Sequence, residues 1–115
     1  ASAILATQVP HLWILPGSVD LAGAELELAS ALAREFRLRN ALATIASGYD
    51  YILIDCPPSL NLLTVNALTA ATGVLVPLQC EYYALEGLSQ LLKTVELVKQ
   101  NLNSTLEIEG VVLTM

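Results

Sequence analysis

The amino-acid sequence predicts an α/β fold in which helices flank a parallel sheet. Short apolar runs alternate with longer stretches that carry apolar residues at helical spacing, in the order β-α-β-α-β-α-β. The run at residues 51–54 (YILI) is too short for a helix and lacks polar alternation, which is typical of a strand buried on both faces. The chain has 115 residues, of which 55% are hydrophobic and 14% charged. This composition is typical of the interior of an α/β domain, so we expect one domain or part of one.

Charge and hydropathy restrict the possible function classes. The net charge of −6 argues against nucleic-acid binding through bulk electrostatics. No residue between Asp55 and Glu81 is charged, but prolines, glycine and asparagines interrupt this stretch, so we expect a buried helix and strand there instead of a membrane span. The N-terminus has no basic region, so the sequence does not predict a secretory signal.

The first elements lie between residues 11 and 47. Residues 11–15 (HLWIL) are predicted to form a strand with His11 at its exposed start, closed by Pro16 and Gly17. A helix is expected to begin near Leu21 and to bend around Ala33, after which a second periodic run follows.

Three of the five cations of the chain, Arg34, Arg37 and Arg39, lie within six residues. Such a cluster could contact phosphate or an acidic partner. The favoured interpretation is that the cluster is the solvated face of a helix. Glu35 lies four residues before Arg39, a spacing at which the two side chains can form an ion pair on a helix.

The second half of the chain continues the alternation. Helices are predicted at residues 60–71 and 84–102, and strands at residues 74–76 and 108–113. We expect Pro77 to end the third strand, Gly110 to interrupt the last one, and residues 79–83 to form a loop at the edge of the sheet that binds ligands.

Asp55 directly follows the apolar run at residues 51–54, and Pro57 and Pro58 then stop the strand. A hydrophobic strand that ends in Asp is the layout of a Walker B segment, whose carboxylate holds Mg²⁺ beside a nucleotide. A structural alternative is that Asp55 caps the following turn or helix. The thiols Cys56 and Cys80 have no metal-ligand spacing, and we expect both to be free and buried in a reducing compartment.

Four phrases together resemble one family, the ParA/Soj partitioning ATPases of chromosomes and plasmids. They are LPGSVDLAGAELEL, YDYILIDCPPSLNLLTVNAL, VLVPLQCEYYALEGLSQLLKTVELV and IEGVVLTM, and the resemblance extends over essentially the whole chain. The related MinD cell-division ATPases match less closely. The resemblance implies a P-loop NTPase-like parallel sheet and the cofactors ATP and Mg²⁺.

By this resemblance, Asp55 is the Walker B carboxylate that contacts Mg²⁺ or its water shell. Pro57 and Pro58 belong to the switch region, residues 56–59, which senses the γ-phosphate. Thr114 and Met115 precede the adenine contacts. The resemblance further implies ATP-dependent homodimers, a ParB-like centromere-binding partner, non-specific DNA binding through regions outside this chain, and a cytoplasmic, nucleoid-associated location without membrane attachment.

The phosphate-binding loop G-x-x-x-x-G-K-[ST] is absent from the 115 residues. The nearest match, residues 87–94, has Leu92 in place of the second glycine and lies within a predicted helix. The resemblance places the loop upstream of Ala1 and its strand between the strands at residues 51–54 and 74–77. We therefore expect the chain to lack the Walker A strand, to expose unpaired edges and to be unstable, oligomeric or rearranged.

Two alternatives remain open at this stage. The first is a truncated fragment or interaction module without ATPase activity of its own, which the missing loop favours. The second is a MinD-like membrane-associated regulator, which would need a C-terminal amphipathic helix that is not visible before Met115.

Overall fold

The computed structural model describes residues 3–18, 21, 23, 33–57, 61–79 and 82–114, with residues 82–84 described by their backbone. The chain divides into two compact units, residues 1–31 and residues 32–115. The helix predicted to begin near Leu21 lies mostly outside the described residues, although Leu21 and Gly23 are themselves helical.

The first unit contains a small antiparallel hairpin. Strand β1 (Leu5–Ala6) pairs with β2 (Trp13–Ile14), and the Thr7 hydroxyl donates a 2.8 Å hydrogen bond to the Leu12 carbonyl across the turn. The prediction of one strand over residues 11–15 was therefore wrong in extent and in pairing. His11 has the left-handed φ of 65°, so it belongs to the turn and cannot continue a ladder, although it is exposed as expected.

The second unit begins with the bend predicted at Ala33. Ala33 has left-handed dihedral angles, φ 52° and ψ 39°, and precedes a 3₁₀ turn (Arg34–Phe36) and helix α1 (Arg37–Ala43). A second 3₁₀ turn (Ala46–Gly48) follows. A residue in this left-handed conformation cannot continue a right-handed helix, so the 3₁₀ turn starts anew after Ala33.

Two strands and two helices form the centre of this unit. Strand β3 (Gly73–Gln79) pairs in parallel with β4 (Glu107–Thr114), and the long helix α3 (Tyr82–Asn101) makes the crossover between them. Helix α2 (Leu62–Ala70) precedes β3. The helices predicted at residues 60–71 and 84–102, the last two strands and the α/β fold class are confirmed.

Strand β3 does not end at Pro77, as the sequence analysis expected. Pro77 lies opposite Val112, and the pairing continues to Gln79. Proline is compatible with a strand where its missing N–H would face away from the neighbouring strand. In the described part of the chain, β3 pairs with β4 alone.

The core lies between the helices and the β3–β4 sheet. Helix α2 packs against α3, and α3 packs against β3. The inner face of α3 is the predicted apolar one, with Val95 and Val98 buried and Leu91 packed beside them. Leu106, which follows α3, is completely buried in the same cluster.

The prediction of a buried strand at residues 51–54 was wrong. This run forms no ladder, and the side chains of Tyr51 and Leu53 are 88% and 92% exposed. A strand needs hydrogen-bonding neighbours, and within the described residues none lies beside this run.

Candidate functional site

The carboxyl ends of the two parallel strands define one edge of the sheet. Gln79 and Thr114 are the last paired residues of β3 and β4 and lie opposite each other in the register. The strands start at the other edge, with Gly73 opposite Glu107. Ligands of open α/β sheets bind outside the carboxyl ends of the strands, so the edge at Gln79 and Thr114 is the candidate binding edge.

The sequence-predicted site residues are only partly described. Asp55 and Pro57 are exposed in the unpaired segment that follows residues 51–54, whereas Thr114 is half-buried at the end of β4. Pro58 and Met115 lie outside the described residues. Within the described part of the chain, no hydrogen bond or ion pair joins Asp55 to Thr114, so the structure does not bring these predicted residues into contact.

Cys56 is exposed, which corrects the prediction of a buried thiol, and Cys80 lies outside the described residues. The Cys56 Sγ lies 3.7 Å from the carbonyl oxygen of Ile54 and donates a weak hydrogen bond to it. Desolvation, and then the neighbouring Asp55 carboxylate, raise the pKa of the Cys56 thiol. Both effects disfavour the thiolate beside the candidate metal ligand.

Asn61 fixes the start of α2, directly after the proline segment. Its side-chain oxygen accepts a 3.1 Å hydrogen bond from the backbone N–H of Thr64, which is the geometry of a helix N-cap. This cap was not predicted, although an Asn three residues before Thr64 at the start of an apolar run is a recognisable capping signal. The cap fixes the residue at which α2 begins.

The donor set at Asp55 fits Mg²⁺. An exposed carboxylate is an oxygen ligand, and Mg²⁺ is commonly bound through one or two carboxylates together with substrate phosphates and water. Among the described residues there is no cluster of three or more His, Cys, Asp or Glu side chains that could hold a metal ion.

No helix in the described part of the chain is both long and apolar enough to cross a membrane.

Comparison with known proteins identifies the family. A model of the AAA domain (AAA_31) matches residues 1–108. The chain is 61% identical over 112 residues to the sporulation initiation inhibitor protein Soj of Bacillus subtilis, covering 97% of this chain and 44% of Soj. It is 62% identical over 109 residues to the chromosome partitioning protein ParA of Myxococcus xanthus, covering 95% of this chain and 38% of ParA. The chain thus spans less than half the length of these relatives.

Solved structures agree with the sequence comparison. A crystal structure described as cobyrinic acid a,c-diamide synthase from Mycobacterium smegmatis, with bound ATP analogue and magnesium, superimposes with a TM-score of 0.91 at 44% identity. The match covers 97% of this chain and 46% of that one. A plasmid partition protein from Borrelia burgdorferi superimposes with a TM-score of 0.78 at 30% identity, covering 96% and 45%. The chain therefore belongs to the AAA domain family and, within it, matches the Soj and ParA chromosome partitioning proteins.

Proposed function

We propose that this chain supplies part of the Mg²⁺–ATP site of a partitioning ATPase. The observation that carries the proposal is the parallel β3–β4 edge that ends in Thr114, in a chain that also places an exposed carboxylate, Asp55, after an apolar run. The similarity to a structure described with a bound ATP analogue and magnesium supports it. Relatives named as chromosome partitioning proteins support the partitioning role.

Each residue has a defined part in this proposal. Asp55 contacts Mg²⁺ or its water shell, and the metal ion neutralises charge on the phosphates. Pro57 and Pro58 restrict the backbone of the segment that lies next to the γ-phosphate. Thr114, the last residue of β4, and Met115, which follows it in the sequence, contribute at the side of the adenine base. Asn61 caps the first turn of α2, which follows this segment in the sequence.

The whole protein would use this site to control assembly. ATP binding drives homodimerisation and DNA binding, and a ParB-like centromere-binding protein stimulates hydrolysis. These activities take place in the cytoplasm at the nucleoid. Phosphoryl transfer depends mainly on positioning and charge neutralisation, so Asp55 is one contributor among several.

A second candidate function is a non-catalytic interaction module. One observation favours it: the apolar run at residues 51–54 is exposed, and among the described residues it has no ladder partner. Such a run can take part in β-strand addition.

Equilibrium binding of a fluorescent ATP analogue, with and without Mg²⁺, tests the leading proposal. Asp55→Asn is the test variant and Asp50→Asn is the matched control, since Asp50 is also exposed in the same segment. We expect the Mg²⁺-dependent part of binding to disappear in Asp55→Asn alone. Absence of binding by the unsubstituted protein would favour the interaction module, and equal losses in both variants would remove Asp55 from the site.

A further inference from the structure

A buried asparagine, Asn66, joins helices α1 and α2. Its side-chain Oδ1 accepts a 3.2 Å hydrogen bond from the backbone N–H of Leu38, in the first turn of α1. Its Nδ2 donates a 3.0 Å hydrogen bond to the carbonyl oxygen of Leu62, in the first turn of α2. Asn66 itself is only 3% exposed. One side chain therefore connects the first turns of both helices, across a separation of 28 residues between Leu38 and Asn66.

The two helices pack against each other around this connection. Helix α1 and the 3₁₀ turn at residues 34–36 both contact α2, and Leu38 and Leu42 are half-buried. An N–H in the first turn of a helix has no acceptor within that helix, and a side-chain amide that is buried without partners costs free energy. The bond between Leu38 and Asn66 satisfies both groups, so it favours one position of α1 on α2.

The segment that contains Asp55 lies in the sequence between these two helices. On one side, α1 leads into the 3₁₀ turn Ala46–Gly48, which contacts it. On the other side, Asn61 caps the start of α2. Because Asn66 ties α1 to α2, it restricts the separation of the two ends of the intervening residues, 49–60.

A fixed separation of its ends limits the conformations that a connecting segment can adopt. Residues 49–57 have no ladder partner in the described part of the chain, so the flanking elements are the restraint that the structure shows for Asp55. Groups that orient a metal ligand without contacting the metal ion typically change metal affinity by about 10- to 100-fold. The tie between the helices is therefore placed to affect a metal ion held by Asp55.

We infer that Asn66 is a positioning residue for the candidate Mg²⁺ ligand Asp55. It acts by holding the two ends of residues 49–60 at one separation and not by contact with the metal ion. The inference rests on the proposed function in that Asp55 binds Mg²⁺. The restraint on the segment belongs to the fold, so it can be measured without nucleotide.

The distance between two nitroxide labels measures this restraint. One label is attached to Cys56 and the other to α3 through Ser89→Cys at an exposed position, in a Cys80→Ser background. Asn66→Ala should broaden the distance distribution obtained by double electron–electron resonance, because the ends of the segment are released. Asn66→Ser should broaden it as well, since its hydroxyl bonds a carbonyl of its own helix but is too short to reach α1. The serine variant keeps the test valid if the alanine variant does not fold.

Asn103→Ala is the matched control. The amide of Asn103 also bonds main-chain carbonyls 32 to 35 residues away, but these lie at the other end of α2. We expect this variant to keep the width of the label distribution. Equal broadening in the Asn66 and Asn103 variants would overturn the inference, since it would indicate a general loosening of α2. An unchanged width in both Asn66 variants would overturn it as well.

The gain in affinity for a fluorescent ATP analogue on addition of Mg²⁺ is the functional readout. All variants are compared at a temperature at which circular dichroism shows them to be folded. We expect the gain to fall by about tenfold in Asn66→Ala and to be unchanged in Asn103→Ala, while the affinity without Mg²⁺ changes in neither.

Two outcomes separate this inference from the proposed function. If the unsubstituted protein gains affinity with Mg²⁺ and Asn66→Ala gains the same, the proposed function stands and the role of Asn66 is overturned. If the unsubstituted protein shows no gain with Mg²⁺, the proposed function fails and the role of Asn66 toward Asp55 fails with it, even where the label distances broaden.

Discussion

The side-chain amide nitrogen of Asn103 lies 2.7 Å from the main-chain carbonyl oxygen of Ala71 and donates a hydrogen bond to it. The same nitrogen lies 3.0 Å and 3.1 Å from the carbonyl oxygens of Leu68 and Thr69. The last carbonyls of a helix have no partner within the helix, and here the two N–H groups of one side chain from the loop after α3 are shared among three carbonyls at the end of α2. The Thr105 hydroxyl donates to Oδ1 of Asn103 at 3.0 Å and orients the amide.

Asn103→Ala should therefore destabilise the protein by about 2 kcal/mol, because carbonyl groups at the end of a packed helix lose their donor. Urea unfolding followed by circular dichroism measures the change in the free energy of unfolding. Asn101→Ala is the control, since Asn101 is exposed and its amide donates only to Leu97 within the same helix. A larger loss in the Asn101 variant would contradict the proposed role of Asn103.

Gly73 leaves room for the exposed side chain of Glu109. A Cβ atom at Gly73 would collide with the side chain of Glu109, which is the unpaired residue at the register shift between Val74 and Leu75. Gly73→Ala should lower the free energy of unfolding by about 1 kcal/mol. In a Glu109→Ala background the same change should be neutral or stabilising by about 0.5 kcal/mol, since alanine restricts the unfolded chain.

A double-mutant cycle measured by urea unfolding separates these effects. Gly110→Ala is a suitable control, because a Cβ atom at Gly110 meets no atom within 4 Å. If Gly73→Ala costs the same with and without the Glu109 side chain, the collision is not the reason for the glycine.

The pH at which Cys56 becomes reactive should depend on the neighbouring carboxylate of Asp55. Desolvation and the Asp55 carboxylate raise the pKa of the thiol, so alkylation by iodoacetamide should reach its half-maximal rate at a higher pH than in a free cysteine peptide. Asp55→Asn should lower that midpoint only in part, because desolvation, the larger cause, remains. Mass spectrometry measures the rate of alkylation in a Cys80→Ser background, in which Cys56 is the one remaining thiol.

The raised pKa of the Cys56 thiol should also make the free energy of unfolding depend on pH. The thiolate is less favourable in the folded state than in the unfolded chain, so stability should decrease as the pH rises above the ordinary pKa of a thiol. A midpoint that does not move in Asp55→Asn would show that the carboxylate does not act on Cys56.

The exposed run at residues 51–54 should promote self-association. Tyr51 and Leu53 expose apolar side chains on a backbone that has no ladder partner among the described residues, which is a template for pairing between copies. Leu53→Lys should increase the monomer fraction in sedimentation velocity experiments. Leu97→Lys, at another exposed leucine on a regular helix, is the control. Identical distributions for the Leu53 variant and the unsubstituted protein would refute the prediction.

Elements that depend on local pattern could be predicted from the sequence. The apolar face of α3 at Val95 and Val98 and the bend at Ala33 were recognised because the signals lie within one or two turns. The parallel pairing of the last two strands followed from the alternation of elements.

Features that depend on distant residues could not be predicted. Residues 51–54 have strand composition, but a ladder requires a neighbour that the run itself does not encode. The carbonyl groups bound by Asn103 lie 32 to 35 residues away, so its sequence neighbourhood indicated only a turn. The Glu35–Arg39 pair failed because a 3₁₀ turn replaced the regular helix that the spacing assumed.

Binding of nucleotide at the carboxyl edge of the sheet can be detected by amide chemical-shift mapping. Mg²⁺–ADP is added to the ¹⁵N-labelled protein, and shifts at the two ends of the paired strands are compared. We expect large changes at Gln79, Thr114 and Cys56, and small changes at Gly73 and Glu107, which lie at the opposite edge. Changes concentrated at Gly73 and Glu107, or none at either edge, would contradict it.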